Sequence, residues 1–235
     1  MKNKILVLNM KMYMDINDVK RYFKIVKEVP DNVIFCPESI YIPYFLQKYK
    51  NIAIQSIYPV DSGAYTGCVS AKQAATLGIK YAVVGHSECR KYFNVTDLDV
   101  NKKIKSSLSN NLKVIMCIGE SEEDKKLGKT KEKIKKQLDV GLEGINSNNI
   151  IIAYEPIFSI GTGIVPTKEH IDSTILYIKE ILRSKNMDLK VLYGGSVSSK
   201  NIKELSLIPS VDGFMVGKAS SEAEEVLEML KQLDF

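Results

Sequence analysis

Few residues in this chain are suited to holding a zinc ion. Cysteine occurs four times, at Cys36, Cys68, Cys89 and Cys117, widely spaced, with no C-x-x-C pair and no metal-binding histidine alongside. Histidine occurs only twice, at His86 and His170. That spacing argues against the common zinc frameworks and against a disulfide scaffold. Also missing is any apolar run near the ~20 residues that cross a bilayer, so no membrane partner is expected. At the N-terminus, Met1-Lys2-Asn3-Lys4 precedes the short apolar run Ile5–Leu8, which stops at Asn9-Met10-Lys11. That run is too short for the core of a signal peptide and reads as the first buried strand of a cytoplasmic protein. The net charge is only +5. Lysines gather on helical stretches such as Lys125 to Lys136, where Glu132 is expected to pair with Lys136 at i,i+4. No recognised nucleic-acid module or stacking aromatic cluster accompanies them, which argues against a nucleic-acid partner.

What is present is an ordinary globular balance, 45% hydrophobic and 26% charged over 235 residues. Short β-branched apolar runs alternate with longer helical patterns along the whole chain. The predicted strands are Ile5–Leu8, Val33–Cys36, Ile52–Gln55, Tyr81–Val84, Val114–Ile118, Ile150–Tyr154, Val191–Tyr193 and Gly213–Val216. Ser70-Ala71-Lys72-Gln73 has the form of a capping box, Pro166-Thr167 precedes the pattern Ile171–Leu182, and a last helix is predicted over Glu222–Leu233. Continuously apolar strands are buried on both faces, as in a parallel sheet. Eight such strands without a low-complexity linker predict an α/β fold, a single closed (β/α)8 barrel with a parallel eight-stranded sheet, spanning residues 1–235 as one catalytic domain. A doubly wound open sheet is the alternative. It normally carries a glycine-rich fingerprint after its first strand, where this chain has Asn9-Met10-Lys11.

The polar residues that follow the strands are unusual. Asn9 and Lys11 follow the first, and His86, Ser87 and Glu88 the fourth. Glu120 ends the fifth and Glu155 the sixth, Gly194-Gly195-Ser196 follow the seventh, and Gly217-Lys218 the eighth. In a barrel all these ends ring one mouth. Glu155 is followed by Pro156 and a small-residue loop closed by Gly161-Thr162-Gly163, which reads as a base on a rigid strand with a mobile lid behind it. Taken alone, Glu155 reads equally as a strand-end cap. The loops after strands seven and eight, each alone an ordinary tight turn, together form a phosphate grip. His86 stands near a helix start, where a positive helix end disfavours the charged ring and leaves a neutral hydrogen-bond donor. His170 reads as a surface residue. A carboxylate, a neutral imidazole, a lysine and a phosphate grip fit proton transfer next to a carbonyl in a small phosphorylated sugar.

These pieces, together with Gly63-Ala64-Tyr65-Thr66-Gly67, Cys117-Ile118-Gly119-Glu120, Tyr193-Gly194-Gly195-Ser196-Val197 and Asp212-Gly213, occur in one order that resembles the triosephosphate isomerase family over essentially the full chain. The resemblance implies a TIM barrel that interconverts dihydroxyacetone phosphate and D-glyceraldehyde 3-phosphate in glycolysis and gluconeogenesis, with no cofactor and no metal. By it, Glu155 abstracts and returns the carbon-bound proton, and His86 polarises the carbonyl. Lys11 stabilises negative charge with help from Asn9, and Glu88 supports the site from behind. Asn9 and Lys11 also bind substrate, with the phosphate on the amides of Gly161, Gly217 and Lys218 and on Ser196. The loop Pro156–Thr167 closes over the substrate. A homodimer is implied, with the Thr66 loop reaching the partner subunit. The chain departs from the family pattern at Met10 and Phe158, where tryptophan is common, at Lys218 in place of a glycine, and at Pro166 in the lid's second hinge. Cys68 and Cys89 stand where an acidic and a basic residue often pair across the dimer interface. Two other readings stay open: another phosphate-binding barrel isomerase or epimerase, and a non-catalytic barrel scaffold.

Overall fold

A computed structural model describes residues 4–161, 163 and 165–234. Met1, Lys2 and Asn3 of the basic N-terminal stretch, and Thr162 of the glycine loop, lie outside the described residues. The strands are β1 (Ile5–Asn9), β2 (Val33–Cys36), β3 (Ala53–Ile54), β4 (Tyr81–Val84), β5 (Lys113–Ile118), β6 (Ile150–Tyr154), β7 (Lys190–Tyr193) and β8 (Gly213–Val216). All eight predicted strands hold within one residue at each end. The third strand is shorter than predicted. Only Ala53 and Ile54 carry the full ladder to β4, and Gln55 is released to other work.

All the strand pairings are parallel, in the order β2-β1-β8-β7-β6-β5-β4-β3. The sheet closes between its ends through one parallel bridge, Phe35 to Ile52, where the Phe35 N–H donates to Asn51 O at 3.0 Å. Aromatic rings cover that seam. Phe35 stacks on Tyr49 with centroids 4.0 Å apart, and Phe45 leans on both. The closed ring settles the choice between barrel and open sheet.

Side-chain alternation along each strand separates two cores. Val7, Ile34, Ala53, Val83, Ile115, Ala153, Leu192 and Met215, one from each strand, pack together inside the barrel with Cys36 and Cys117. Their alternating neighbours, among them Leu6, Leu8, Phe35, Val84, Val114 and Phe214, face the helices. All four cysteines are free thiols.

Local signals start the helices. Ser70 caps Ala71–Leu77 with the expected reciprocal bonds, Gln73 N–H to Ser70 Oγ at 3.1 Å and Ser70 N–H to Gln73 Oε1 at 3.0 Å. Such a cap contributes about 1 kcal/mol. Thr167 caps Lys168–Ser184, and the final helix runs Ala223–Gln232. The lysine-rich stretch breaks into two helices, Glu122–Lys126 and Thr130–Gly141. Its i,i+4 ion pairs are Glu122–Lys126 and Lys135–Asp139; among the described residues the expected Glu132–Lys136 pair does not form. Among the described residues no helix is long and apolar enough to cross a membrane.

Candidate active site

The C-terminal strand ends surround a cavity of about 750 Å³. Asn9, Lys11, His86 and Glu155 line its inner part. Gly161, Ser196, Gly217 and Lys218 line the side formed by the loops after β6, β7 and β8. Glu88 stands one layer away and reaches the cavity through Lys11. The geometry thus brings Asn9, Lys11, His86, Glu155, Gly161, Ser196, Gly217 and Lys218 to one cavity, with Glu88 joined to it by its ion pair with Lys11.

Lys11 departs from strand β1 with φ 51°, the left-handed region that a residue with a Cβ adopts only when its surroundings impose it. Two side chains do so. The Lys11 N–H donates to Asn9 Oδ1 at 3.2 Å, and Gln55 Nε2 donates to Lys11 O at 2.7 Å and to Cys36 O at 3.2 Å. The turn aims the Lys11 ammonium across the mouth, where Nζ lies 2.7 Å from Glu88 Oε1. Gln55 is absent from the ring of polar strand-end residues given above, which includes none after the third strand.

His86 caps the helix Ser87–Phe93, and its Nδ1 accepts the Glu88 N–H at 3.3 Å. The opposite nitrogen, Nε2, stands 3.3 Å from Glu155 Oε1. Burial is the largest influence on the ring and disfavours its charged form. The Glu155 carboxylate, and behind it Glu88, favour the charge, and together these side chains hold the pKa above the ordinary histidine value. The backbone acts against them. A proton on Nδ1 has to displace the Glu88 amide at the positive end of a helix. We therefore assign the neutral ring with its proton on Nε2, because a proton on that side faces the cavity and the amide contact survives.

Glu155 is 4% exposed. Its N–H donates to Ile118 O at 2.7 Å, which pins the backbone to the end of β5. Its carboxylate has one oxygen beside His86, while Oε2 has no hydrogen-bond partner among the described residues. A buried acceptor left open in this way is prepared to take a proton. Glycine at 194 makes room for it, since a Cβ there would stand 2.8 Å from Glu155 Cγ.

Two expectations are corrected. Glu120 does not face the mouth. It is wholly buried behind the start of the segment that follows Glu155, with Oε1 3.1 Å from Tyr154 Oη and its carbonyl accepting the Ile157 N–H at 3.0 Å. His170 is not a plain surface residue. Its half-buried ring lies 3.5 Å from Tyr154 Oη and 3.8 Å from Glu120 Oε1.

The triosephosphate isomerase family model matches residues 4–233. A triosephosphate isomerase of Thermodesulfovibrio yellowstonii is 37% identical over 246 aligned positions, covering 98% of this chain and all of the relative. One from Clostridium botulinum (strain ATCC 19397 / Type A) is 35% identical, covering 96% of this chain and 97% of the relative. One from Alkaliphilus oremlandii is 40% identical, covering 76% of this chain and 75% of the relative.

The chain belongs to the triosephosphate isomerase family.

This membership favours the aldose–ketose isomerase reading over the epimerase and scaffold readings. Against the triosephosphate isomerase pattern, Met10 is fully buried, an apolar replacement absorbed by the core. Phe158 keeps an aromatic ring in the 3-10 turn Ile157–Ser159, with Lys125 Nζ 3.7 Å from its centroid. Lys218 is exposed at the cavity's edge, at the start of a short 3-10 turn over Lys218–Ser221. Cys68 is exposed and Cys89 half-buried, and burial pushes the Cys89 thiol's pKa up. Nearby, Lys103 donates to Ser56 Oγ at 3.2 Å, and burial lowers its pKa.

Proposed function

We propose that this protein interconverts dihydroxyacetone phosphate and D-glyceraldehyde 3-phosphate through an enediolate, within glycolysis and gluconeogenesis, as a single catalytic domain over residues 1–235. The observation that carries the reading is the Glu155–His86 pair: a buried carboxylate with an open oxygen beside an imidazole whose far nitrogen is held by a backbone amide. Glu155 removes a proton from the carbon next to the carbonyl, and the electron pair moves onto the carbonyl oxygen. His86 Nε2–H polarises that oxygen, and the Lys11 ammonium stabilises the charge formed there. Glu155 then returns the proton to the neighbouring carbon, with His86 moving protons between the two oxygens.

The phosphate sits on the amides of Gly161, Gly217 and Lys218 and on Ser196, with Asn9 and Lys11 gripping the substrate's other end. Glu88 positions the Lys11 ammonium. Closure of the loop Pro156–Thr167 excludes water and keeps the enediolate from expelling its phosphate. No cofactor or metal takes part, as the family chemistry implies.

The protein acts in the cytoplasm as a homodimer. The exposed loop Gly63–Gly67, with Thr66 at its tip and the Tyr65 ring 4.5 Å from Tyr58, is the part that reaches the partner subunit. The exposed apolar side chains of Met12, Tyr13, Ile40 and Tyr44 support this assembly. The deciding experiment is a coupled assay converting D-glyceraldehyde 3-phosphate, with Glu155→Gln as control. Rapid turnover that collapses by orders of magnitude in the variant is expected. Activity indifferent to that substitution overturns the assignment of the base.

A further inference from the structure

Ser159 lies between the base and the phosphate loop, and nothing in the chemistry above uses it. It is fully buried, four positions beyond Glu155, in the 3-10 turn Ile157–Ser159 that opens the lid. It accepts two hydrogen bonds from Ser196. Ser196 Oγ donates to Ser159 O at 2.5 Å, and the Ser196 N–H donates to Ser159 Oγ at 3.3 Å. The same Ser159 hydroxyl is 3.4 Å from Tyr193 Oη. The cluster fits because residue 195 is glycine: a Cβ there would stand 2.1 Å from Tyr193 Oη and 2.8 Å from Ser159 Oγ.

We infer that Ser159 is a positioning residue that occupies the Ser196 amide until a phosphate oxygen takes it, and is then retained by Tyr193. This rests on the reading above that Ser196 belongs to the phosphate grip. A serine hydroxyl at 3.3 Å is a long, neutral acceptor for an amide. A phosphate oxygen is charged and forms the shorter, stronger bond, so the exchange favours substrate. The hydroxyl does not lose its place on release, because Tyr193 Oη is already within reach and can donate to it or accept from it. Occupation of the phosphate site is thereby felt on the segment that carries Glu155. Ser159 touches no substrate atom in this scheme.

The test separates two roles of one side chain. Wild type, Ser159→Ala and Tyr193→Phe are compared for turnover of D-glyceraldehyde 3-phosphate and for competitive inhibition by inorganic phosphate. Ser159→Ala frees the amide, so inorganic phosphate binds tighter, by roughly two- to tenfold for the loss of one competing neutral hydrogen bond. Its kcat falls, because the link from the lid's hinge to Tyr193 is gone. Tyr193→Phe lowers kcat with no gain in phosphate affinity. Ser159→Cys conserves volume with a poor acceptor and gives the same direction should the alanine variant fold badly. A general packing defect moves both constants the wrong way together. Unchanged or weaker phosphate inhibition in both Ser159 variants, with an active wild type, overturns this inference alone. A wild type that is inactive, or is not competitively inhibited by phosphate, overturns the functional reading and this inference with it.

Discussion

Lys11 Nζ lies 2.7 Å from Glu88 Oε1, joining the end of β1 to the helix that His86 caps. The ammonium is thus aimed by a carboxylate that is itself half exposed. Glu88→Gln keeps the shape and removes the charge. It is expected to lower kcat by about two- to fivefold, the modest loss due to a solvent-screened pair, whereas Lys11→Met abolishes measurable turnover. Steady-state kinetics on both variants checks the ranking, and equal losses would contradict it.

The proton balance of His86 gives a second test. The Glu155 carboxylate favours the charged ring, and burial opposes it. Glu155→Gln removes the upward influence and leaves burial unopposed by its strongest counterweight, so the His86 pKa falls. With only two histidines in the chain, a proton NMR titration resolves both rings once His170→Asn identifies one. A rise in the pKa would contradict the assignment. The neutral ring should also show its proton on Nε2 by nitrogen-15 shifts.

Gln55 holds the Lys11 carbonyl in its left-handed turn. Gln55→Met removes the donor to the Lys11 carbonyl, while Cys36 O keeps the Met10 N–H, and the expected loss is about 1–3 kcal/mol of stability. Activity falls further than stability alone predicts, because Lys11 loses its fixed direction. Thermal unfolding and kinetics at a temperature where the variant is fully folded separate the two effects.

Lys218 contributes an exposed ammonium beyond its backbone amide. Lys218→Gly is expected to raise KM severalfold and to flatten the dependence of kcat/KM on ionic strength, as the loss of a steering charge requires. A salt dependence identical to that of wild type would exclude any role for the side chain.

At the expected dimer interface, Cys68 and Cys89 stand in place of a charge pair, and the nearby Lys103 is kept partly buried. Cys89→Arg puts a second cation in that neighbourhood and is expected to weaken the dimer. Cys68→Asp added to it should restore association. Sedimentation equilibrium across the single and double variants reads the coupling, and strictly additive effects would show that the two positions do not meet.

The barrel was legible because its strands are continuous apolar runs and its helices begin at strong caps; Ser70 and Thr167 do in the structure what their sequence context predicts. The catalytic candidates were legible because each sits at a strand's end. What stayed hidden depends on side-chain direction. Glu120 and Glu155 both end strands next to glycine or proline, yet one turns toward Tyr154 and the other into the cavity. Spacing along the chain carries no sign for that choice. Gln55 and Ser159 stayed hidden for a related reason: each acts on a backbone group far away in sequence.

The single bridge that closes the sheet has a consequence for how the enzyme fails. Glu155 extends from β6, which is laddered on both sides, whereas Lys11 depends on Gln55, which extends from the two-residue β3 beside the seam. Any opening of the seam would slacken the grip on Lys11 while Glu155 keeps its place. With the roles proposed above for the two residues, charge stabilisation is expected to decay on heating before the ability to take a proton, so that activity is lost below the temperature at which the barrel melts.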